Sequence, residues 1–299
     1  MDAVGYSLAQ NFIPYRWREE STFPIEEDYV RTVCYGSSVY CVSRTRVQIY
    51  DVITKTWRNG APPPPPKSYF PVDAEVRFDI VLYKDSIYWV GGTMDGYKGA
   101  FHVYDIKSDR WEQGQNPYVI DAVACEVVGD KLYVISLEGR SLWYGKSFLV
   151  YDFLTSTWNP TGDLMDTALG ESATCAIGRN IYICGGRQDA TNSNYLSSWI
   201  WKFDTEQNRV SYVGSLTIPR VGGAAVGLNG ELVVLGGESL PVTQLGNGSI
   251  LQGPNFISKY YDAVTYQDVA YVFNGKKVYS YANRSADHEA LMAWLAITE

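Results

Sequence analysis

Histidine is nearly absent from this chain: two in 299 residues, His102 and His288. That scarcity removes most hydrolytic triads, which need an imidazole beside a Ser or Cys. It also removes copper centres built on paired His and Tyr ligands. Cysteine is scarce too, five in number with no Cys-x-x-Cys pair, which argues against a zinc site or a full disulfide framework. No apolar run approaches the roughly 18 residues that span a bilayer. The opening MDAVGYSLAQNFIPYRW lacks the charged-then-apolar pattern of a secretory leader. Acidic residues outnumber basic ones, 33 against 25, for a net charge of −8. A broad basic face for nucleic acid is therefore not expected. No glycine-rich loop is followed by Lys-Ser or Lys-Thr, so no phosphate cradle is expected either. These absences point away from an enzyme and from any cofactor, metal or membrane partner.

The five cysteines are read as small buried thiols, which places the chain in a reducing, cytoplasmic compartment. The alternative is a pair of cross-strand disulfides. If Gly36-Ser37-Ser38 and Gly178-Arg179-Asn180 are the hairpin turns, Cys34 faces Cys41 and Cys175 faces Cys184.

What the chain does have is aromatic residues, 24 Tyr and 9 Trp, many in short alternating runs. Such side chains pack well on a pleated surface and favour β-structure. A motif recurs: an apolar residue, Tyr, Asp, and a Trp six residues after the Asp. It reads Ile49-Tyr50-Asp51 with Trp57, Val103-Tyr104-Asp105 with Trp111, and Val150-Tyr151-Asp152 with Trp158. A worn copy is Lys202-Phe203-Asp204, with Val210 in the Trp position. Self-similarity at a period near 50 residues means one supersecondary unit stacked repeatedly.

Each unit reads as four short strands. The second often ends in Gly-Gly, as at Gly91-Gly92, Gly185-Gly186 and Gly236-Gly237. Second-strand anchors at Tyr40, Tyr88, Tyr133, Tyr182, Val233 and Tyr271 give six units. A single domain over 1–299 follows, with units at about 29–60, 74–113, 121–160, 171–213, 222–260 and 261–282. Trp17 precedes Tyr40 by the same interval that separates a fourth-strand residue from the next anchor. Residues 12–17 are therefore expected to complete the last unit and close the ring. In the fifth unit the short third and fourth strands are expected near Ser249–Gln252 and Phe256–Lys259. The tail Asp287–Ile297 reads as a short helix or strand. Pro62–Pro66 interrupts the spacing after the first unit. It reads as a stiff connector, with an SH3 or WW contact as the alternative.

Gly-Gly, then Tyr-Asp, then Trp six residues on resembles the kelch repeat. The resemblance runs from about residue 12 to residue 282 and is complete only in the second unit. It implies an all-β, six-bladed propeller in which the Tyr, Trp and Gly-Gly residues are architectural. It also implies a non-enzymatic interaction module that binds a protein or peptide. The substrate-recognition part of a ubiquitin-ligase adaptor is one such role. A carbohydrate-binding or sugar-modifying propeller and a cytoskeletal, actin-binding scaffold are the alternatives.

In such a blade, the loops joining strand two to strand three and blade to blade share one face. These are the longer loops here, and loops held on a rigid scaffold are where binding concentrates. They contain Tyr97, Tyr118, Arg140, Trp143, Tyr144, Arg187, Tyr195 and Arg220. Tyr, Trp and Arg dominate binding hot spots, so these eight are the candidate binding residues. The arginines suggest an acidic or C-terminal carboxylate ligand, because Arg pairs bidentately with carboxylates.

Overall fold

The computed structural model describes residues 16–24, 29–64, 78–94, 98–114, 123–136, 147–163, 170–187, 196–237, 242–245, 250–252, 262–274 and 276–282. These form six four-stranded antiparallel sheets. Blade one is Arg31–Tyr35, Ser38–Val42, Val47–Asp51 and Thr56–Gly60. Blade two is Phe78–Tyr83, Ser86–Met94, Lys98–Asp105 and Arg110–Gln113. Blade three is Val123–Val128, Lys131–Ser136, Ser147–Asp152 and Thr157–Asp163. Blade four is Ala173–Ile177, Asn180–Cys184, Trp199–Asp204 and Arg209–Ser215. Blade five is Ala224–Leu228, Glu231–Leu235, Val242–Leu245 and Ile250–Gln252. Blade six takes Asp262–Tyr266, Val269–Asn274 and Lys277–Ala282 from one end of the chain and Arg16–Thr22 from the other. The first strand of each blade packs against the first strands of the blades before and after it, and the sixth returns to the first. The result is a closed propeller.

Both faces of a blade are covered by its neighbours, so the inner strands are apolar on both sides rather than alternating. Six hydrophobic clusters result, and each mixes residues of two consecutive blades. The recurring motif explains itself within them. Tyr50, Tyr104 and Tyr151 are buried, as is Phe203 in the worn copy. The Asp that follows turns the corner into the fourth strand. Asp51 Oδ1 accepts the amides of Ile53 and Thr54, and Asp152 and Asp204 accept the equivalent pairs. Four residues on, Lys55, Asp109, Ser156 and Asn208 all adopt positive φ. That fixed corner is why the Trp falls six residues after the Asp. The Trp then packs toward the preceding blade: Trp111 against blade one, with its Nε1 donating to Ala61 O at 2.9 Å, and Trp158 against blade two.

The ring closes between the chain ends. Trp17 pairs with Tyr281, and its ring lies 5.0 Å from that tyrosine's. It packs on the cluster shared by blades five and six, in the place a fourth-strand Trp occupies elsewhere. Glu20 links blade six to blade one by accepting from Lys55 Nζ and Ser280 Oγ, both at 2.6 Å. Phe23 then docks on Trp57 and Phe273.

Three details differ from the expectations. The closing strand is Arg16–Thr22, longer toward its C-terminal end than 12–17; residues 12–15 lie outside the described residues. In blade five the third strand is Val242–Leu245 and the fourth is Ile250–Gln252, one strand earlier than expected. Gly246-Asn247-Gly248 is the turn signal that separates them. The hairpins of blades one and four turn on two residues, not three. Gly36 and Gly178 each sit at φ 59, the left-handed region a two-residue turn needs. The register therefore sets Cys34 opposite Val39 and Cys175 opposite Tyr182. All five cysteines are free. Pro62–Pro64 runs outside any strand; Pro65, Pro66 and the tail 287–297 lie outside the described residues.

Candidate functional site: the central channel

The six inner strands surround a cavity of about 410 Å³, to which every blade contributes. All six strands start at the face that receives the blade-to-blade loops. One position near that mouth can be matched around the ring. Arg31, Asp79, Ala124, Ala173, Ala224 and Asp262 each pair with the last second-strand residue before the Gly-Gly position. Blades six, one and two thus contribute Asp, Arg and Asp, while blades three, four and five contribute three alanines.

The charged side chains are tied together. Arg31 Nε lies 3.5 Å from Asp79 Oδ1, and its Nη1 lies 3.8 Å from Asp262 Oδ1. Its Nη2 donates to the Tyr29 hydroxyl at 2.8 Å, and the guanidinium carbon is 4.9 Å from that ring's centre. Tyr29 OH donates in turn to Phe78 O. The three charged side chains retain between 15% and 25% exposure, so they border solvent in the channel.

Inner strands of a propeller have no strand partner on their channel edge, so their amides need other acceptors. Carboxylates supply them across blade junctions. Asp262 Oδ2 accepts Thr32 N at 2.6 Å and Thr32 Oγ1 at 3.0 Å, joining blade six to one. Asp79 Oδ2 accepts Cys125 N at 2.7 Å, joining two to three. Two residues deeper, Glu126 accepts Thr174 Oγ1 at 2.8 Å and Ala176 N at 3.0 Å, joining three to four. At the mouth Arg187 Nε donates to Glu171 Oε2 at 3.0 Å, which neutralises that carboxylate.

Burial governs the electrostatics. Desolvation pushes Asp79 up to about 6, against the pull of Arg31 and the amides of Cys125 and Ile80, with Asp262 adding to the rise. Glu126 has no cation within ion-pair distance among the described residues, and burial pushes it up to about 8. Burial works against the charge of Arg31, but Tyr29, Asp79 and Asp262 hold it above the ordinary guanidinium value. Burial also raises the thiols of Cys125 and Cys175 well above theirs, so both stay protonated in the channel wall.

Of the eight residues expected from the sequence, six lie outside the described residues: Tyr97, Tyr118, Arg140, Trp143, Tyr144 and Tyr195. Arg187 is at the expected face, paired with Glu171. Arg220 is 2% exposed and is a correction to the list. It is folded into the junction of blades four and five, with Nη1 donating to Gly236 O at 2.9 Å and its own carbonyl accepting Gly186 N at 2.8 Å. A Cβ on Gly185 would lie 2.5 Å from that carbonyl, which is why glycine stands there. The channel residues Asp79, Glu126, Asp262 and Tyr29 were not among the eight. Their signal in the sequence is a single charge interrupting an apolar first strand, as in Phe78-Asp79-Ile80-Val81 and Cys125-Glu126-Val127-Val128.

The Attractin/LZTR1 beta-propeller family model matches residues 32–263. Human Kelch-like protein 30 is 26% identical over 99 residues, 33% of this chain and 17% of its own length. Protein tag-53 of Caenorhabditis elegans is 22% identical over 227 residues, 66% of this chain and 16% of its own length. The match therefore spans about a sixth of the length of either relative. The solved structure of YjhT superposes with a TM-score of 0.68 at 14% identity, covering 87% of this chain and 94% of that one, which shows the shared fold.

Proposed function

The chain belongs to the Attractin/LZTR1 β-propeller family, which is of kelch type, and we propose that it is a non-enzymatic module that binds a protein or peptide at the mouth of its central channel. The binding face is the one that receives the long loops. Trp143, Tyr144, Tyr97, Tyr118, Tyr195 and Arg140 contribute from those loops, and the channel contributes the anchor. The observation that supports this reading most is the charge balance inside the mouth. Among the described residues three carboxyls, Asp79, Glu126 and Asp262, line the cavity with one guanidinium, Arg31, which lies between Asp79 and Asp262. The arginines described at this face are already committed to Asp, Glu or carbonyl oxygens within the chain. The anchor therefore suits a basic side chain of the partner, rather than the acidic group that the arginines alone suggested. A role as the recognition part of a ubiquitin-ligase adaptor fits this reading, since such a part contributes binding and no chemistry.

A displayed peptide library panned against the wild type, Trp143→Ala and Asp79→Asn tests it. The expected result is enrichment of peptides with a Lys or Arg, lost in Asp79→Asn and weakened in Trp143→Ala. Enrichment of acidic peptides would overturn the anchor. Binding untouched in both variants would overturn the face. Binding to a glycan array, with no peptide enriched, would favour the carbohydrate alternative.

A further inference from the structure

Among the described residues the channel holds more carboxylate than its one guanidinium can balance. Arg31 is shared between Asp79 and Asp262, and the Glu171–Arg187 pair at the mouth is neutral in sum. Glu126 lies deeper, where among the described residues the Thr174 hydroxyl and the Ala176 amide donate to its carboxyl. The groups that act on it are Asp79 of blade two, Asp262 of blade six, the Cys125 thiol of blade three and the Cys175 thiol of blade four, with Ala173 and Ala176 as neutral wall. Asp79 is faced by Arg31 from blade one, Asp262 from blade six, and the Cys125 amide and Glu126 from blade three. Asp79 and Glu126 share one cavity with Asp262 and, among the described residues, a single guanidinium, so burial and like charge both oppose their ionisation.

We propose that the central channel is a proton-linked charge switch, in which the clustered carboxyls of Asp79 and Glu126, each clasping the next blade inside one cavity, gain and lose protons with pH and so reset the charge presented at the mouth. At the acidic end the Asp79 and Glu126 carboxyls are protonated. At the alkaline end both are ionised, which adds two negative charges to the channel. The geometry of the clasps survives the change, because each carboxyl keeps an oxygen that accepts its cross-blade amide in either form. What changes is the field at the mouth. That the partner's basic side chain feels this field rests on the function proposed above; the switch itself does not.

A carboxyl-carbon NMR titration of the whole chain from pH 4 to pH 10 tests the switch without any partner. Midpoints near 6 for Asp79 and near 8 for Glu126 are expected. Glu126→Gln identifies the second resonance, and it is expected to fold because the Gln carbonyl still accepts the Ala176 amide. Asp79→Asn removes a like charge and is expected to lower the Glu126 midpoint. Two midpoints in the ordinary carboxylate range, with the full charge present by pH 6, would overturn the proposal. Should Asp79→Asn fail to fold, the wild-type and Glu126→Gln titrations decide alone. A basic peptide whose affinity rises with pH in the wild type and not in Glu126→Gln would extend the switch to the partner. Expected midpoints with pH-independent peptide affinity would sustain the switch and sink the anchor.

Discussion

Two halves of one ring, built on the same backbone, have opposite chemistry. Blades six, one and two place Asp262, Arg31 and Asp79 at the channel mouth; blades three, four and five place Ala124, Ala173 and Ala224 at the matching position. In the charged half, polar side chains hold neighbouring inner strands together and border solvent. In the alanine half, Glu126 still clasps blade three to blade four, but between blades four and five backbone does the joining. Gly222 N donates to Glu171 O, Gly186 N donates to Arg220 O, and a Cβ on Gly227 would lie 2.9 Å from Ile177. The small residues permit the close approach. The propeller accommodates either kind of junction, so closing the ring does not by itself require charge at the mouth.

The comparison breaks most visibly if charge is moved across the ring. Ala224→Asp introduces a carboxylate at a position that is 6% exposed. A loss of about 3 kcal/mol is expected in denaturant unfolding, the cost of a buried charge. Arg31→Ala in the charged half leaves Asp79 and Asp262 facing each other. A loss of about 2 kcal/mol is expected at pH 8 and clearly less at pH 5, because Asp79 then takes up a proton instead of holding an unbalanced charge. Equal losses at the two pH values would contradict the coupling. Gly227→Ala probes the tight junction of blades four and five, and a Cβ that close to Ile177 is expected to cost about 1 kcal/mol. The effect should appear as a lower unfolding midpoint with no dependence on pH. Smallest is Glu171→Gln at the mouth. It removes one partly exposed ion pair while keeping a hydrogen-bond acceptor for Arg187, and about 0.5 kcal/mol is expected.

Much of the scaffold was legible because its determinants are local. The Asp that caps the corner, the left-handed residue four later and the Trp beyond it lie within seven positions, and they repeat. Trp17 could be assigned to the closing strand for the same reason: its distance to Tyr40 equals the repeat interval. Blade five has neither Tyr-Asp nor Trp, so its strands were displaced by one. The hairpin registers depended on whether Gly36 and Gly178 open two- or three-residue turns, a choice the sequence leaves open and φ decides. The channel was the least legible part. Asp79, Glu126 and Asp262 each meet a partner on another blade, 46 to 230 residues away in sequence. No local pattern marks such a pairing. Arg220 failed as a surface residue for the related reason that a loop position in sequence can be a buried junction in space.

The channel holds carboxyls on both sides of the division between charged and alanine halves, Asp79 in blade two and Glu126 in blade three, whose ionisation is set by burial and by each other. Unfolding free energy as a function of pH, for the wild type beside Glu126→Gln, tests this most directly. Glu126 has a folded value near 8, above that of the unfolded chain, so the folded state binds its proton more tightly. Its stabilising contribution is complete below about pH 4.5 and is lost as pH rises through 8. The wild type should therefore lose stability across that window, and Glu126→Gln should lose less, ending above the wild type at pH 9. Parallel curves for the two proteins would contradict the account.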